Sequence, residues 1–208
     1  IFTVVNGVLL RALPYPNPDR IVQVWQLDQS QHQMQFSDPN FDDVRSQSHS
    51  FAQLAEVATD NNASVAGDVT PTRAVVTSVT HDFFDGMGIP PLVGRTFVSD
   101  EERQGGVPAV VLSWGFWQRV FGGDRSALGK RPSIDARTYS VVGVMGPDLQ
   151  FPAGSDLYIS REIEGRLPSR MAHNWQVLGR LRPGVTLAAA RRDVSVLAGG
   201  LAARYGTG

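Results

Sequence analysis

A chain of 208 residues can bury a substantial core, and with 42 % apolar and 19 % charged residues it reads as folded rather than disordered. The formal net charge of −1 provides no general attraction to polyanions, so nucleic acid is not an expected partner. Cysteine is absent, which removes disulfides, thiolate metal sites and thiol nucleophiles, and accords weakly with an exported domain.

The chain opens on an apolar stretch, Ile1–Leu13, interrupted only by Thr3, Asn6, Gly7 and Arg11. As a helix it would span about 20 Å, too short to cross a bilayer alone. It has no leading basic segment and no small-residue cleavage site, so it is not a secretory signal. Two readings stand at this point. One is a buried or amphipathic first helix; the other is the outer end of a membrane helix, with Arg11 at the interface and Pro14, Pro16 and Pro18 ending it.

Alternation of Ile21, Gln23, Trp25 and Leu27 against Val22, Val24 and Gln26 predicts a strand over 21–27. Ser37-Asp38-Pro39 then offers a helix start, and Phe41, Val44 and Ser48 share a face over about 39–48. Strands follow at 51–59, 63–69 and 72–80, with turn residues Asp60-Asn61-Asn62 and Gly67-Asp68 between them. Thr80 can cap a short helix carrying Phe83, Phe84 and Met87, with Gly88 closing it and Pro90-Pro91 forbidding its continuation.

From about Pro91 to Ile163 the texture is β-rich and broken by Gly and Pro: AVVL at 109–112, a short helix in WGFWQRVFGG, TYSVVGVM at 138–145 and a strand in QFPAGSDLYIS. A last strand at 174–182 turns at Pro183-Gly184. Thr186 then caps a helix on which Leu187, Ala190, Val194, Leu197, Leu201 and Tyr205 form one stripe. The units at 21–59 and 174–205 share a local grammar. Together they predict an α+β fold, an antiparallel sheet with both helices on one side and related to the split βαβ, with the β-rich middle inserted.

Motifs for chemistry are sparse. Gly-x-Ser-x-Gly does not occur, and SWGFW at 113–117 lacks the first glycine. His81-Asp82 at a helix start reads as first-turn capping rather than a catalytic pair. His32, His49, His81 and His173 show no metal-ligand spacing. GGDRSALGKR at 122–131 departs from the phosphate-loop pattern at Arg131 and reads as a turn before a strand, and SDEE at 99–102 reads as a helix N-terminus rather than a calcium loop. On a helix, Trp114, Trp117 and Phe121 share a face while Phe116 points elsewhere, and the cluster reads as core before it reads as a contact patch. No catalytic, cofactor-binding or metal-binding residue is therefore assigned.

Six stretches carry a resemblance: ALPYPNPDRIVQVW, SDPNFDDVRSQSHSFAQLA, VTHDFFDGMGIPPLVGRTFVSDEE, VVLSWGFWQRVFGGDRSALGK, YSVVGVMGPDLQFP and LGRLRPGVTLAAARRDV. In this order the chain resembles MacB-like periplasmic domains of FtsX-type ABC transporter permeases, most closely the duplicated orphan permeases of acidobacteria. The resemblance implies a stub of transmembrane helix 1 at 1–13. It also implies a porter-like subdomain built from 14–90 and 166–208, and a mostly-β subdomain inserted at 91–165. It further implies a non-catalytic segment without cofactors, in the periplasm of a protein of the bacterial inner membrane. Its partners would be the permease's own membrane helices and a separate cytoplasmic ABC ATPase, with a second permease copy or a periplasmic adaptor beyond them. The competing expectation is a free-standing periplasmic module that binds a lipid or small apolar ligand.

Overall fold

The computed structural model describes residues 2–6, 15–161 and 167–206. Two compact units divide the chain: residues 1–57 with 166–208, and residues 58–165. Residues 58–90 fall within the second of these units.

In the first unit, strands β1 (Phe2–Asn6), β2 (Ile21–Leu27), β12 (Gln176–Leu181) and the first half of β4 (Phe51–Ala66) lie side by side in that order. Each neighbouring pair is antiparallel. Because β12 separates β2 from β4, those two run parallel with helix α1 (Asp38–Gln47) between them in sequence, which is a split βαβ. The short β3 (Gln33–Met34) extends β2 on its far end. Helix α4 (Leu187–Tyr205) starts where Thr186 Oγ1 accepts from the Ala189 N–H at 3.2 Å, and buries Ala190, Val194 and Ala198. Of the stripe read from sequence, Ala190 and Val194 are buried and Leu187, Leu197 and Leu201 partly buried, whereas Tyr205 is exposed and the buried Ala198 lies outside it.

Residues 2–6 correct the reading of the opening stretch as helix. They form β1, with Phe2 paired to Gln26 and Val4 to Val24. Phe2 and Val4 are buried, and the Phe2 ring stacks on Phe36 at 5.1 Å. Alternation of inward residues and a free edge on β2 supply the backbone partners that a five-residue helix would lack. The rest of the expected membrane stub, 7–13, lies outside the described residues.

β4 is one strand where the sequence suggested two. Its ends both have ladder partners, β12 along 51–57 and β8 (Ser133–Ile134) at Val65 and Ala66, and these carry the backbone through the turn-prone Asp60-Asn61-Asn62.

In the second unit the order is β4, β5 (Thr72–Val79), β11 (Leu157–Ser160), β7 (Ala109–Leu112), β10 (Ser140–Met145) and β6 (Pro91–Gly94). β5 with β11 and β7 with β10 are parallel; β11 with β7 and β10 with β6 are antiparallel. All four residues of β7 and of β11 are buried, as befits strands covered on both faces. Leu157 and Ile159 join a core with Phe116 and Trp117 of α3 (Trp114–Phe121). Tyr158, facing the other way, packs against Phe83 and Phe84 of α2 (Asp82–Met87) at 5.8 and 5.4 Å. The sheet edge is tightened where Gly143 pairs with Gly94: a Cβ on Gly143 would sit 2.0 Å from the Arg95 carbonyl oxygen.

Candidate functional site

The groups the sequence singled out for chemistry have structural employment. Ser113 is the N-cap of α3, its Oγ accepting from the Phe116 N–H at 3.2 Å. His81 precedes α2, with Nδ1 against Glu102 and Nε2 3.2 Å from Asp82 Oδ1, so a protonated ring would bridge two carboxylates. Thr80, the expected cap, instead accepts the Phe83 N–H through its carbonyl. His32 bonds Asp28, His173 Nδ1 faces the Gln35 carbonyl at 3.0 Å, and the His49 N–H donates to Asp193. Among the described residues no group of three potential ligands could hold a metal ion. Gly122 and Gly123 adopt left-handed conformations after α3, and SDEE is a short 3-10 turn. The aromatic segment buries Phe116 and Trp117, whereas Trp114 is 42 % exposed. This corrects the face predicted for the helix: Phe116, not Trp114, is buried in the core, and Trp114 stands at the first position of the helix.

The first unit holds the arrangement with the most binding character. A cavity of about 290 Å³ opens between the end of β2, α1 and the last turns of α4. Phe2, Leu27, Ala198, Leu201 and Ala202 provide apolar walls, and Met171 and Tyr205 its exposed apolar rim. Its polar part starts at Gln26, the third inward residue of β2 after Val22 and Val24, and 6 % exposed. The Gln26 Oε1 accepts from Asn40 Nδ2 at 2.8 Å, and Asn40 Oδ1 in turn accepts from Arg170 Nη1. Arg170 also pairs with Asp43 at 2.8 Å, and its guanidinium lies 3.8 Å from the centre of the Tyr205 ring. Asp28 lines the same space, its carboxylate held below the usual range first by the His32 backbone N–H. Sequence reading missed Gln26, Asn40 and Arg170. A polar residue in an inward β position was the available signal; the contact of Arg170 with Asn40, 130 residues away in sequence, left none.

Elsewhere in this unit, charged groups fasten the elements. Asp193 on α4 accepts from Ser48 Oγ at 2.6 Å and from the His49 and Ser50 N–H groups at 3.1 Å. Partial burial pushes its carboxyl up, but these hydrogen bonds outweigh it and hold the group below the ordinary value. Arg191 Nε donates to the Val4 carbonyl at 2.7 Å, Arg20 Nε to that of Leu181 at 2.8 Å, and Arg180 Nη1 to that of Pro16 at 3.0 Å. Burial, and then the neighbouring Arg20 charge, draw Arg180 down from the usual arginine range.

Residues 1–197 match the family model described as the MacB-like periplasmic core domain. The chain belongs to that family. Three solved structures share its fold. The periplasmic region of MacB from Actinobacillus actinomycetemcomitans is 17 % identical, with a TM-score of 0.63, covering 99 % of this chain and 84 % of that one. The extracellular domain of YknZ, a noncanonic ABC-type transporter from Gram-positive bacteria, is 14 % identical at a TM-score of 0.64, covering 90 % and 96 %. A domain of a permease protein from Porphyromonas gingivalis is 16 % identical at 0.64, covering 89 % and 83 %. No curated protein sequence matches. The family places this MacB-like domain in an ABC transporter permease, as a periplasmic segment of a membrane protein. Among the described residues, no helix is long and apolar enough to cross a membrane.

Proposed function

We propose that this domain is a non-catalytic coupling element, passing ATP-driven movement of the permease's membrane helices to a substrate or partner protein outside the membrane. The observation that carries the reading is the family match over 1–197. The fastening of α4 supports it: Asp193 and Arg191 tie the N-terminal turns of this helix to the α1–β4 turn and to β1. A helix pinned in this way moves with its sheet rather than against it, which is what a lever requires. In this reading nucleotide is hydrolysed by an ABC ATPase on the cytoplasmic side, and a second permease copy or a periplasmic adaptor is a further partner.

The absence of cysteine makes the location directly testable. Val196 is 75 % exposed on α4, so Val196→Cys in the full-length permease, with any cysteines elsewhere replaced, gives a single reporter. The expected result is labelling by a membrane-impermeant maleimide once the outer membrane alone is permeabilised. Labelling only after the inner membrane is broken would contradict the reading.

A further inference from the structure

We infer that the last turn of α4 is a flap, hinged at Gly199-Gly200, that opens and closes the groove of the first unit. The inference rests on the geometry of α4 and of the groove and not on the coupling role.

The helix is held at its start and released towards its end. Up to Ala198 it is tied by the Thr186 cap, by Arg191 to the Val4 carbonyl and by Asp193 to the α1–β4 turn, and Ala190, Val194 and Ala198 are buried. Gly199 and Gly200 come next, both helical and both exposed. Proline apart, glycine is the least favourable residue in a helix interior. Packing does not ask for it here: a Cβ at either position would meet no heavy atom within 4 Å beyond the backbone of its own helix. What two adjacent glycines supply is backbone freedom, and kinks above about 20° gather at such places in helices.

Beyond the pair the helix borders open space. Leu201, Ala202 and Tyr205 line the groove of about 290 Å³, shared with Leu27, Asp28 and Gln29 at the end of β2, and none of residues 199–206 is buried. The turn therefore has room to swing. A latch holds it: the Arg170 guanidinium lies 3.8 Å from the centre of the Tyr205 ring and is itself anchored by Asp43 at 2.8 Å and by Asn40. A cation over a half-exposed ring is a weak contact, so the latch opens thermally. The pinned part of α4 stays with its sheet while the flap sets the width of the groove.

Spin labels on two cysteine pairs in this cysteine-free chain test the hinge. Ser46→Cys on α1 is paired with Ala203→Cys, beyond the glycines, or with Val196→Cys, before them; all three positions are exposed. Open and closed populations are expected for 46–203 and one population for 46–196, with the carbon chemical shifts of residues 201–204 remaining helical. Replacing both glycines, Gly199→Ala with Gly200→Ala, is expected to lower the open population at least about fivefold. Tyr205→Ala, at an exposed position, is expected to raise it about threefold. A single 46–203 population overturns the proposal, as does an open population that the double alanine variant leaves unchanged. Two populations for 46–196 would move the bend away from the glycines, and coil shifts at 201–204 would show fraying in place of a hinge; either overturns it. An unchanged distribution in Tyr205→Ala overturns the latch.

Discussion

The two units solve the same problem by different means. In the second unit, strands β7 and β11 are buried throughout, with Phe116 and Trp117 on one face and Phe83 and Phe84, against Tyr158 of β11, on the other. In the first, the sheet carries helices α1 and α4 joined by directed polar contacts: Ser48 and Ser50 to Asp193, Arg191 to Val4, Arg170 to Asn40 and Asp43. Dispersion and burial hold the one without preference for direction, whereas hydrogen bonds to named carbonyls and carboxylates fix the register of the other. The difference teaches where each of these layers can change: substitutions around β7 and β11 act through volume, those at the α1–α4 contacts through geometry and charge.

The largest effect is expected from Phe84→Ala. Its fully buried ring contacts Phe83, Tyr158 and Phe97 at 5.2 to 5.7 Å, and its loss should cost about 3–5 kcal/mol in denaturant unfolding. A result below 1 kcal/mol would show that the aromatic layer collapses around the gap. Gly143→Ala comes next, at about 1–3 kcal/mol, since its methyl meets the backbone oxygen of Arg95 rather than a flexible side chain.

Asp193→Asn probes the first unit through charge. About 1–2 kcal/mol should be lost near pH 7, as hydrogen bonds to an ionised acceptor become weaker ones. Because the folded carboxyl lies below its ordinary value of 3.8, its contribution is complete above that value and is lost as pH falls through the folded one. The gap between wild type and variant should therefore close in acid below about pH 4, and a gap constant from pH 7 to 3 would remove the carboxylate from the account. The smallest effect, within about 0.5 kcal/mol, belongs to Trp114→Ala, a residue half in solvent beside a buried aromatic pair.

Legibility in the sequence followed the range of the forces. Strand β2, strand β7 and helix α4 declare themselves by local period and by the Thr186 cap, and the split βαβ follows from repeating that grammar at both ends. Residues 2–6 did not, because an apolar segment takes its form from its partner, here the open edge of β2. Asp60-Asn61-Asn62 has turn chemistry, yet ladder partners at both ends of β4 keep it extended. In the cavity only Gln26 left a trace, as a polar residue in line with Val22 and Val24; Asn40 and Arg170 meet through tertiary packing alone.

The coupling role is tested most directly by distance. Spin labels at Val196→Cys in paired permease copies of the assembled transporter, measured with and without ADP and vanadate, report whether the domain moves with the nucleotide cycle. The account predicts a shifted distance distribution on trapping. Identical distributions, with ATPase activity intact, would contradict it.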